Sequence, residues 1–491
     1  MVHSILQFQE KGILNLEKIF CDYSQDMKKI AEMVLGVKEQ VINLGLSMIA
    51  EEFEFYDECL RKKKQLRKDW QIVRQDETTV LTSLGKVTYH KTLFKNKNTG
   101  KSEYLLDRVM GLGKHTRITE DAHAQILEEA VQTSYRKGGI HACITDDCVS
   151  KQSVMKKLHA LEFPRKTEPT QEKKVVDYLY LDADEDHVSL QFQTKKGDLI
   201  KNENNQKNNS AIAKLVYVYE GIEKEAPESK RRKLIHPHYF CRVCNGKENQ
   251  KFWDEIYEYL DANYELSKVK KIYLNADGGA WINAGLARLE GITYVLDRFH
   301  LEKYLTKLTS HMKDSQEDAK TELREAIQKG KKKEFQKVVE RLKDCLKPSE
   351  GLKRLEEASE YIETNWNAAR VRLEHKDGVR GCSAEGHVSH VLSSRMSSRP
   401  MGWSRKGMSK MAELRAYYYN GGDMLELVRF QKTELKKAAG CEDVVYSCGD
   451  ILACERENRE KYKGKPNVKS YSIPYPQIKK IANFKNHIYG L

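Results

Sequence analysis

The stretch Val269–His300 most constrains how this chain can fold. A short apolar run, Ile272–Leu274, predicts a buried strand. Two glycines after Asp277 then permit a sharp turn, helical spacing follows over Trp281–Leu289, and a second apolar run occupies Ile292–Leu296. The pattern predicts a strand–turn–helix–strand unit with Asp277 at the carboxyl end of its first strand. Open α/β sheets bind ligands and metals at that end, although an aspartate that merely caps the helix is the alternative interpretation.

Strand-like segments also precede this unit. Three of them predict strands: Val175–Asp184, His187–Phe192 and Ile212–Tyr219. With a helix predicted over Asn249–Tyr264, the order β-β-β-α-β-α-β is typical of an α/β fold with a mixed five-stranded sheet and flanking helices. The first segment alternates, so Asp182 and Asp184 share one face of the strand, and Asp184 is predicted to close it.

The first 75 residues predict helix, with an apolar stripe at three- and four-residue steps. The stripe consists of Met27, Ile30, Met33, Val34, Val41, Leu44, Met48 and Ile49. A basic cluster, Arg61–Lys64, follows, and it indicates either a phosphate contact or a solvated helix end. Residues 79–107 then predict a small β-hairpin unit.

Residues 117–160 return to a helical pattern, with a break predicted at Gly138–Gly139. The second helix is predicted to begin near Ser150 and to turn Lys151, Lys156 and Lys157 outward. This arrangement resembles a DNA-reading helix-turn-helix, although any helical hairpin would give the same pattern.

Residues 301–375 predict almost uninterrupted helix, which separates Asp277 in sequence from a glycine- and serine-rich stretch beginning at Arg380. Glu385 stands at the front of the next predicted helix. Alone, it is explained as well by N-terminal capping chemistry as by a functional role.

Charge and cysteine content narrow the classes of partner and compartment. The net charge of +13 and the sequence pI near 8.9 suit a polyanionic partner, or simply a basic soluble protein. Eleven mostly isolated cysteines indicate a reducing cytosol. Neither a secretory signal nor an apolar run long enough for a membrane span is apparent, so no membrane contact is expected. Cys241 and Cys244, beside two histidines, suggest zinc less well than a surface loop with incidental thiols.

Three acidic residues are predicted to meet at the ends of elements in the sheet: Asp184, Asp277 and Glu385. Three converging carboxylates repel one another unless a cation is present. Mg²⁺ takes few protein carboxylates and completes its shell with water and phosphate oxygens. Such a set is able to hold two ions that assist phosphodiester cleavage.

Four motifs carry a resemblance to a known family. They are LDADEDHVSLQ at Leu181–Gln191, LNADGGAWI at Leu274–Ile282, LDRFHLEKYL at Leu296–Leu305 and CSAEGHVSHVLSSRMSSRPMGWS at Cys382–Ser404. In this order, and across nearly the entire chain, they resemble the bacterial insertion-sequence transposases of the ISLre-two group, relatives of the mutator-like DDE transposases.

The resemblance implies an RNase H-like core interrupted by an all-helical insertion between the second Asp and the Glu. It implies catalytic and metal-binding roles for Asp184, Asp277 and Glu385, with two Mg²⁺ or Mn²⁺ ions. Asp182 is the alternative first metal ligand. Asp297 and His300 match a following Asp-x-x-His element, which either orients the DNA strand or is a capping Asp with a packed His.

The predicted function is that of a DDE transposase. It is expected to bind double-stranded DNA, both the terminal inverted repeats of its element and the target. It is expected to act as a homodimer or larger synaptic assembly in the cytoplasm, associated with the nucleoid. A silent DNA-binding regulator and a nuclease without strand transfer are the alternatives. The predicted regions are 1–75 (helical), 76–165 (hairpin and helix-turn-helix), 175–300 (first part of the core), 301–378 (helical insertion), 379–440 (second part of the core) and 441–491 (basic tail).

Overall fold

The computed structural model describes residues 2–439 apart from 68, 114–115, 166–171, 193–208, 289–290, 347–350, 375–377 and 400. The predicted basic tail, 441–491, lies outside the described residues, as does most of the predicted loop at Lys195–Ser210. Two compact units are present, one up to Thr119 and one over Glu120–Ala439. Their boundary falls inside the predicted 76–165 region, so its hairpin and its helices belong to different units.

The first unit joins a helical hairpin to a small antiparallel sheet. Its elements are α1 (Val2–Gln7), α2 (Ile13–Gln25), α3 (Ile30–Lys62), β1 (Trp70–Leu81), β2 (Lys86–Asn96), β3 (Ser102–Tyr104) and α4 (Leu105–Val109). The helical and hairpin predictions are confirmed in kind. The sheet begins at Trp70, earlier than predicted, because β1 pairs with β2 from Trp70↔Asn96 onward although most of its first half is exposed.

The core of the first unit lies where the second half of α3 covers the sheet. Its buried side chains are Leu60, Val80, Val87, Tyr89, Phe94, Leu105 and Leu106. The first half of α3 leaves Ile30, Val34 and Val41 exposed. Among the described residues, α3 is one helix that is long and apolar enough to cross a membrane, and none of its most apolar stretch is buried. The expectation that no segment reaches that length and hydropathy is therefore wrong for α3.

A buried carboxylate fastens α3 to the sheet of the first unit. Asp57, 1% exposed, accepts hydrogen bonds from the Thr92 backbone N–H at 2.8 Å and from the Thr92 hydroxyl at 2.6 Å. Asp57→Ala leaves both donors unsatisfied, so we expect the free energy of unfolding to fall by about 2–3 kcal/mol. Urea unfolding and amide exchange of β2 would measure it. Glu58→Ala, which removes the next residue's exposed carboxylate and its ion pair with Lys62 on the same helix, is the matched control and should cost at most about 1 kcal/mol.

The second unit contains the predicted mixed sheet and most of the helices. Its elements up to the end of the sheet are α5 (Glu120–Gln132), α6 (Tyr135–Ile140), α7 (Lys151–His159), β4 (Tyr178–Ser189), β5 (Ser210–Tyr219), β6 (Gly221–Lys224), β7 (Arg232–Ile235), β8 (His238–Arg242), α8 (Glu248–Asn263), β9 (Lys271–Ala276), α9 (Ala280–Leu286) and β10 (Ile292–Leu296). Those that follow are α10 (Arg298–Thr309), α11 (Gln316–Gln328), α12 (Lys332–Asp344), α13 (Leu352–Thr364), α14 (Trp366–Glu374), α15 (Ala384–Val388), α16 (Ser394–Met396), α17 (Arg405–Tyr419) and α18 (Met424–Ala439).

The five-stranded sheet has the order β10-β9-β4-β5-β8. β4 is central. It pairs in parallel with β9, which pairs in parallel with β10, and it pairs antiparallel with β5, which pairs antiparallel with β8. The prediction of a mixed five-stranded sheet with flanking helices is confirmed.

Two of the strand predictions need correction. The predicted second strand, His187–Phe192, is largely the continuation of β4, which runs without a break to Ser189. The fifth strand is instead β8, within a segment predicted to be a polar surface loop. Its buried Tyr239, Phe240 and Cys241 give a weak apolar signal because polar residues flank them closely. Asp184 consequently lies within β4 and does not close it.

The two faces of the sheet are covered differently. On one face the aliphatic residues of β4 and β9 pack against α8 and α9, with Trp253 at the centre of that core. The other face carries a stack of tyrosines, Tyr180, Tyr217 and Tyr219, with ring centroids 5.2–5.7 Å apart. α15 packs on β4 on this tyrosine side, and α17 packs on β5 and β8. The helices α10–α14 form a separate core of their own, in agreement with the predicted helical segment.

The helix-turn-helix-like segment is partly built into the second unit. Ser150 caps α7 as predicted, accepting a hydrogen bond from the Ser153 N–H at 3.2 Å. The predicted break at Gly138–Gly139 is wrong, because both glycines lie buried in α6, where a Cβ on Gly139 would come 2.0 Å from the Val149 carbonyl oxygen. Buried Arg415 ties α5 to this unit by donating to the Val131 carbonyl. DNA reading by α7 stays a prediction.

Candidate active site

One open cleft of about 460 Å³ lies beside the sheet, where β4, β9 and β10 end or diverge. Four acidic residues and two basic ones line it: Asp184, Asp277, Asp297, Glu385, His300 and Lys303. Phe299 and the Cys382–Gly386 segment complete the wall. The structure therefore brings five of the six predicted site residues to one place, although they come from widely separated parts of the chain.

The register of the sheet positions the two aspartates. β4 and β9 pair as far as Asp182↔Asn275. Asp184 and Asp277 each stand two residues beyond this last pair, on neighbouring segments of the chain. β9 ends at Ala276, and Asp277 leads into a turn at Gly278, whose φ is +92°. A side chain there would be strained, and its Cβ would lie 2.6 Å from Oδ1 of Asn365. The glycine predicted to permit a sharp turn is therefore required at Gly278.

Glu385 reaches the cleft from a different part of the unit. It lies in the first turn of the short helix α15, exposed to solvent, after the chain has passed through α10–α14. Ser383, the residue before the helix, makes no side-chain capping bond. A Ser383 cap is therefore absent, but Glu385 in the first turn still suits the helix N-terminus. Glu385 also lines the same cleft as Asp184 and Asp277.

The electrostatics of the cleft favour a cation. Burial, together with the negative charge of Asp277, raises the pKa of Asp184 to about 6, against the lowering effect of a hydrogen bond from the Glu185 N–H. A positive charge beside Asp184 would favour the ionised form of its carboxyl group. The hard oxygen donors of Asp184 and Asp277 suit Mg²⁺ or Mn²⁺.

The arrangement of these donors limits how an ion would be held. Among the described residues, no three His, Cys, Asp or Glu side chains converge closely enough to hold one ion. Mg²⁺ is commonly bound by only one or two carboxylates, with water and phosphate completing its shell. The donor set therefore fits such an ion without requiring all three carboxylates at one point.

Asp297 and His300 make the capping contact that one interpretation predicted, and both line the cleft; the orienting role stays a prediction. Asp297 caps α10 through the His300 N–H at 3.3 Å, and its carboxylate contacts His300 Nδ1 at 3.0 Å. Burial alone would raise the pKa of Asp297, but the hydrogen bonds with His300 outweigh it and lower that pKa. The hydrogen bond with Asp297 in turn raises the pKa of His300. The pair thus caps a helix, and the contact with Asp297 favours the protonated form of His300, which lines the cleft.

Asp182 is placed differently from the prediction that made it an alternative metal ligand. Its side chain is 0% exposed and does not line the cleft. It accepts hydrogen bonds from Tyr217, Tyr219, Asn275 and the backbone of Ser383. Burial raises the pKa of Asp182, against the lowering effect of these four bonds. Asp184, its neighbour on the same strand face, is the aspartate that reaches the cleft.

Several residues near the site had no functional prediction. Lys303 lines the cleft one helical turn after His300, a three-residue spacing on α10 that was readable in the sequence. Tyr217 and Asn275 contact Asp182 from other strands, and no local pattern announces those contacts. The C-x-x-C pair also differs from the prediction, because the thiols of Cys241 and Cys244 are buried and not in a surface loop. Neither cysteine belongs to a group of three or more possible metal ligands in the described part of the chain.

Comparison with known proteins places these residues in a family context. The profile of the uncharacterised protein family UPF0236 matches residues 24–434. Two relatives from Caldanaerobacter subterraneus subsp. tengcongensis, both named as UPF0236 proteins, are each 32% identical to this chain. One similarity runs over 423 residues and covers 86% of this chain and 85% of the relative; the other runs over 427 residues and covers 87% and 85%. The name of the first joins eleven locus designations of that organism, and the name of the second joins four.

Among solved structures, the Drosophila P element transposase strand transfer complex is similar at 10% sequence identity. The similarity covers 71% of this chain and 87% of that chain, with a TM-score of 0.19. A TM-score that low supports no conclusion about fold or function.

Proposed function

The chain belongs to the uncharacterised protein family UPF0236, and from that premise we propose that it is the DNA transposase of a bacterial insertion sequence. The observation that carries the proposal is the convergence of Asp184, Asp277 and Glu385 on one open cleft. These are the residues for which the four sequence motifs imply catalysis. Because they come from β4, the end of β9 and a helix beyond α10–α14, only a specific fold brings them together.

The topology of the sheet supports an RNase H-like assignment for the core. The first strand of the sheet in sequence, β4, is central, with the antiparallel β5 and β8 on one side and the parallel β9 and β10 on the other. The helices α10–α14 stand between β10 and Glu385, where the family resemblance implies a helical insertion.

The relatives offer a second, independent support. The names of two relatives join eleven and four locus designations of a single organism. A gene that spreads through a genome by transposition is expected to be present in many copies. A housekeeping nuclease or a host regulator gives no such expectation.

We propose that Asp184, Asp277 and Glu385 hold two Mg²⁺ or Mn²⁺ ions together with phosphate oxygens and water. Such ions, when bound, activate a water or a DNA 3′-hydroxyl and stabilise the oxygen that departs from the phosphodiester. The cleft is open and Glu385 is exposed in it, so a phosphate of a DNA strand would reach the Glu385 carboxylate from solvent.

The basic side chains of the cleft position the DNA in this proposal. His300, whose protonated form Asp297 favours, and the exposed Lys303 on the next turn of α10 line the cleft and would contact phosphates beside the scissile bond. Asp297 keeps the His300 ring oriented through the hydrogen bond to Nδ1. We assign the recognition of inverted repeats to the helices and hairpin of the first unit and to α7, and we propose that two or more copies act together in the cytoplasm, at the nucleoid.

The direct test supplies purified protein with DNA carrying the ends of its own element, Mg²⁺ and a target plasmid. We expect strand cleavage at the ends, followed by joined products in the target. Binding without cleavage would instead identify a silent regulator, and cleavage without joined products would identify a nuclease. Either outcome would contradict the proposal.

Binding to the element ends should depend strongly on salt. Neutralising six to ten phosphates with Lys and Arg releases condensed counterions, so the dissociation constant should rise by about 10³-fold or more between 50 and 200 mM salt. A titration of labelled end DNA by fluorescence anisotropy at four salt concentrations measures the slope. A weakly salt-dependent affinity would argue against DNA as the partner.

A further inference from the structure

Each of the three cleft carboxylates stands two residues after a residue of one polar cluster beside the cleft. Asp182 precedes Asp184, Asn275 precedes Asp277, and Ser383 precedes Glu385. The three preceding residues are hydrogen-bonded together: Asn275 Nδ2 donates to Asp182 Oδ1 at 2.6 Å, and the Ser383 N–H donates to Asp182 Oδ2 at 3.0 Å. Asp182 and Asn275 are 0% and 1% exposed. Asp182 and Asp184 share one face of β4, and in the other two pairs a single residue separates the bonded residue from its carboxylate, so the bonds of the cluster restrict where each carboxylate stands.

Two tyrosines complete the hydrogen bonding of the buried carboxylate. The Tyr217 hydroxyl donates to Asp182 Oδ2 at 2.7 Å, and the Tyr219 hydroxyl donates to Asp182 Oδ1 at 3.1 Å. The Tyr217 hydroxyl also lies 2.8 Å from the Ser383 hydroxyl. Each carboxylate oxygen therefore has two partners, as a buried charge requires. Ser383 is the one partner that does not belong to the sheet, and it is held there by two contacts.

A buried arginine connects this cluster to the rest of the site. Arg372 of α14, 6% exposed, donates to Asn275 Oδ1 at 2.6 Å. Its other nitrogens donate to the Arg380 carbonyl at 2.6 Å and to the Leu296 carbonyl at 2.8 Å. Arg380 begins the segment that leads to Glu385, and Leu296 is the residue before Asp297. One guanidinium thus joins three of the chain segments that enter the cleft.

We infer that Asp182, Asn275, Ser383, Tyr217 and Arg372 form a positioning layer that holds Glu385 in register with Asp184 and Asp277. The inference rests on the proposed function and deepens it. Asp184 is held within β4 and Asp277 directly follows β9, whereas Glu385 lies outside the sheet, in the first turn of α15, whose N-terminus has no side-chain cap. Asp182 is thereby assigned a role as the acceptor that anchors the Glu385 segment, with no contact to DNA or metal.

The inference predicts a weaker metal site when the layer is disturbed. Asp182→Asn replaces one of the two acceptor oxygens with an NH₂ group, which cannot accept a hydrogen bond. The two donors that bonded to that oxygen lose their acceptor, so either the Ser383 contact or the Asn275 contact is lost. Residues that orient metal ligands from behind typically alter affinity or activity by about 10- to 100-fold. We expect Mn²⁺ affinity without DNA, measured by calorimetry or by electron paramagnetic resonance, to fall by about tenfold or more, and Mg²⁺-dependent cleavage by about 100-fold.

Tyr217→Phe keeps the ring and removes one hydroxyl, so it is the milder variant should Asp182→Asn fail to fold. We expect it to shift the Mg²⁺ concentration needed for half-maximal cleavage upward, with an unchanged circular dichroism spectrum. Asp177→Asn, an exposed aspartate just before β4 that pairs with Lys270, is the matched control and should leave metal binding unchanged.

The outcomes separate the layer from the proposed function. If the parent is active and a folded Asp182→Asn variant has the same Mn²⁺ affinity and cleavage rate, the positioning layer alone is overturned. If Asp182→Asn does not fold, the same result for Tyr217→Phe overturns it. A parent protein that neither binds Mn²⁺ nor cleaves end DNA would overturn the proposed function, and this inference with it.

Discussion

Asp277→Asn is expected to lower Mg²⁺-dependent cleavage of element-end DNA by about 10³-fold or more. The amide keeps the size of the side chain and its contact with the Gly279 N–H, at 3.1 Å in the parent, but it removes the negative charge that would bind the ion. Metal-ion stabilisation of the transition state contributes several kcal/mol, and each 1.36 kcal/mol is about a tenfold change in rate. Single-turnover cleavage of labelled end DNA at saturating protein would measure the loss.

The binding of DNA provides the internal check for this variant. Because Asp277 repels phosphate in the absence of metal, the affinity of Asp277→Asn for end DNA should be equal to or higher than that of the parent. Asp318→Asn changes an exposed aspartate in the first turn of α11, away from the cleft, and serves as the matched control. Cleavage by Asp277→Asn at the rate of the Asp318→Asn control would remove Asp277 from the proposed site.

The second large effect concerns stability. Trp253→Ala should lower the free energy of unfolding of the second unit by about 3–5 kcal/mol. The indole is fully buried between α8 and the sheet, stacks on Trp281 with ring centroids 5.8 Å apart, and donates from Nε1 to the Trp281 carbonyl at 3.0 Å. Gly285 of α9 permits this packing, since a Cβ there would lie 2.3 Å from the indole ring.

The same substitution should also disturb the cleft indirectly, because the Trp253 indole holds α9, the helix that follows Asp277. Urea unfolding monitored by circular dichroism would measure the stability change. Tyr257→Ala, one turn later on α8 with a side chain 45% exposed, removes another large aromatic ring and should cost less than about 1 kcal/mol. Equal losses in the two variants would mean that the packing of α9 on α8 contributes little to stability.

The sequence by itself determined most of the local elements and the acidic residues of the cleft. Apolar runs predicted β9 and β10, helical spacing predicted α3 and α10–α14, and Ser150 marked the start of α7. These signals are local, since capping and periodicity depend on neighbours within a few residues. The motifs also identified Asp184, Asp277 and Glu385 as candidate catalytic residues. All three line one cleft.

Only the tertiary structure decided between Asp182 and Asp184. Both lie on one face of β4, so their local patterns are equivalent. The pairing of β4 with β9 ends at Asp182. The Asp182 carboxylate accepts hydrogen bonds from Tyr217, Tyr219 and Ser383, which come from distant parts of the chain. β8 was missed for the same reason, because its place in the sheet depends on pairing with β5 and not on its own short, mixed sequence. Burial and pairing are properties of contacts between remote residues, which no window of the sequence contains.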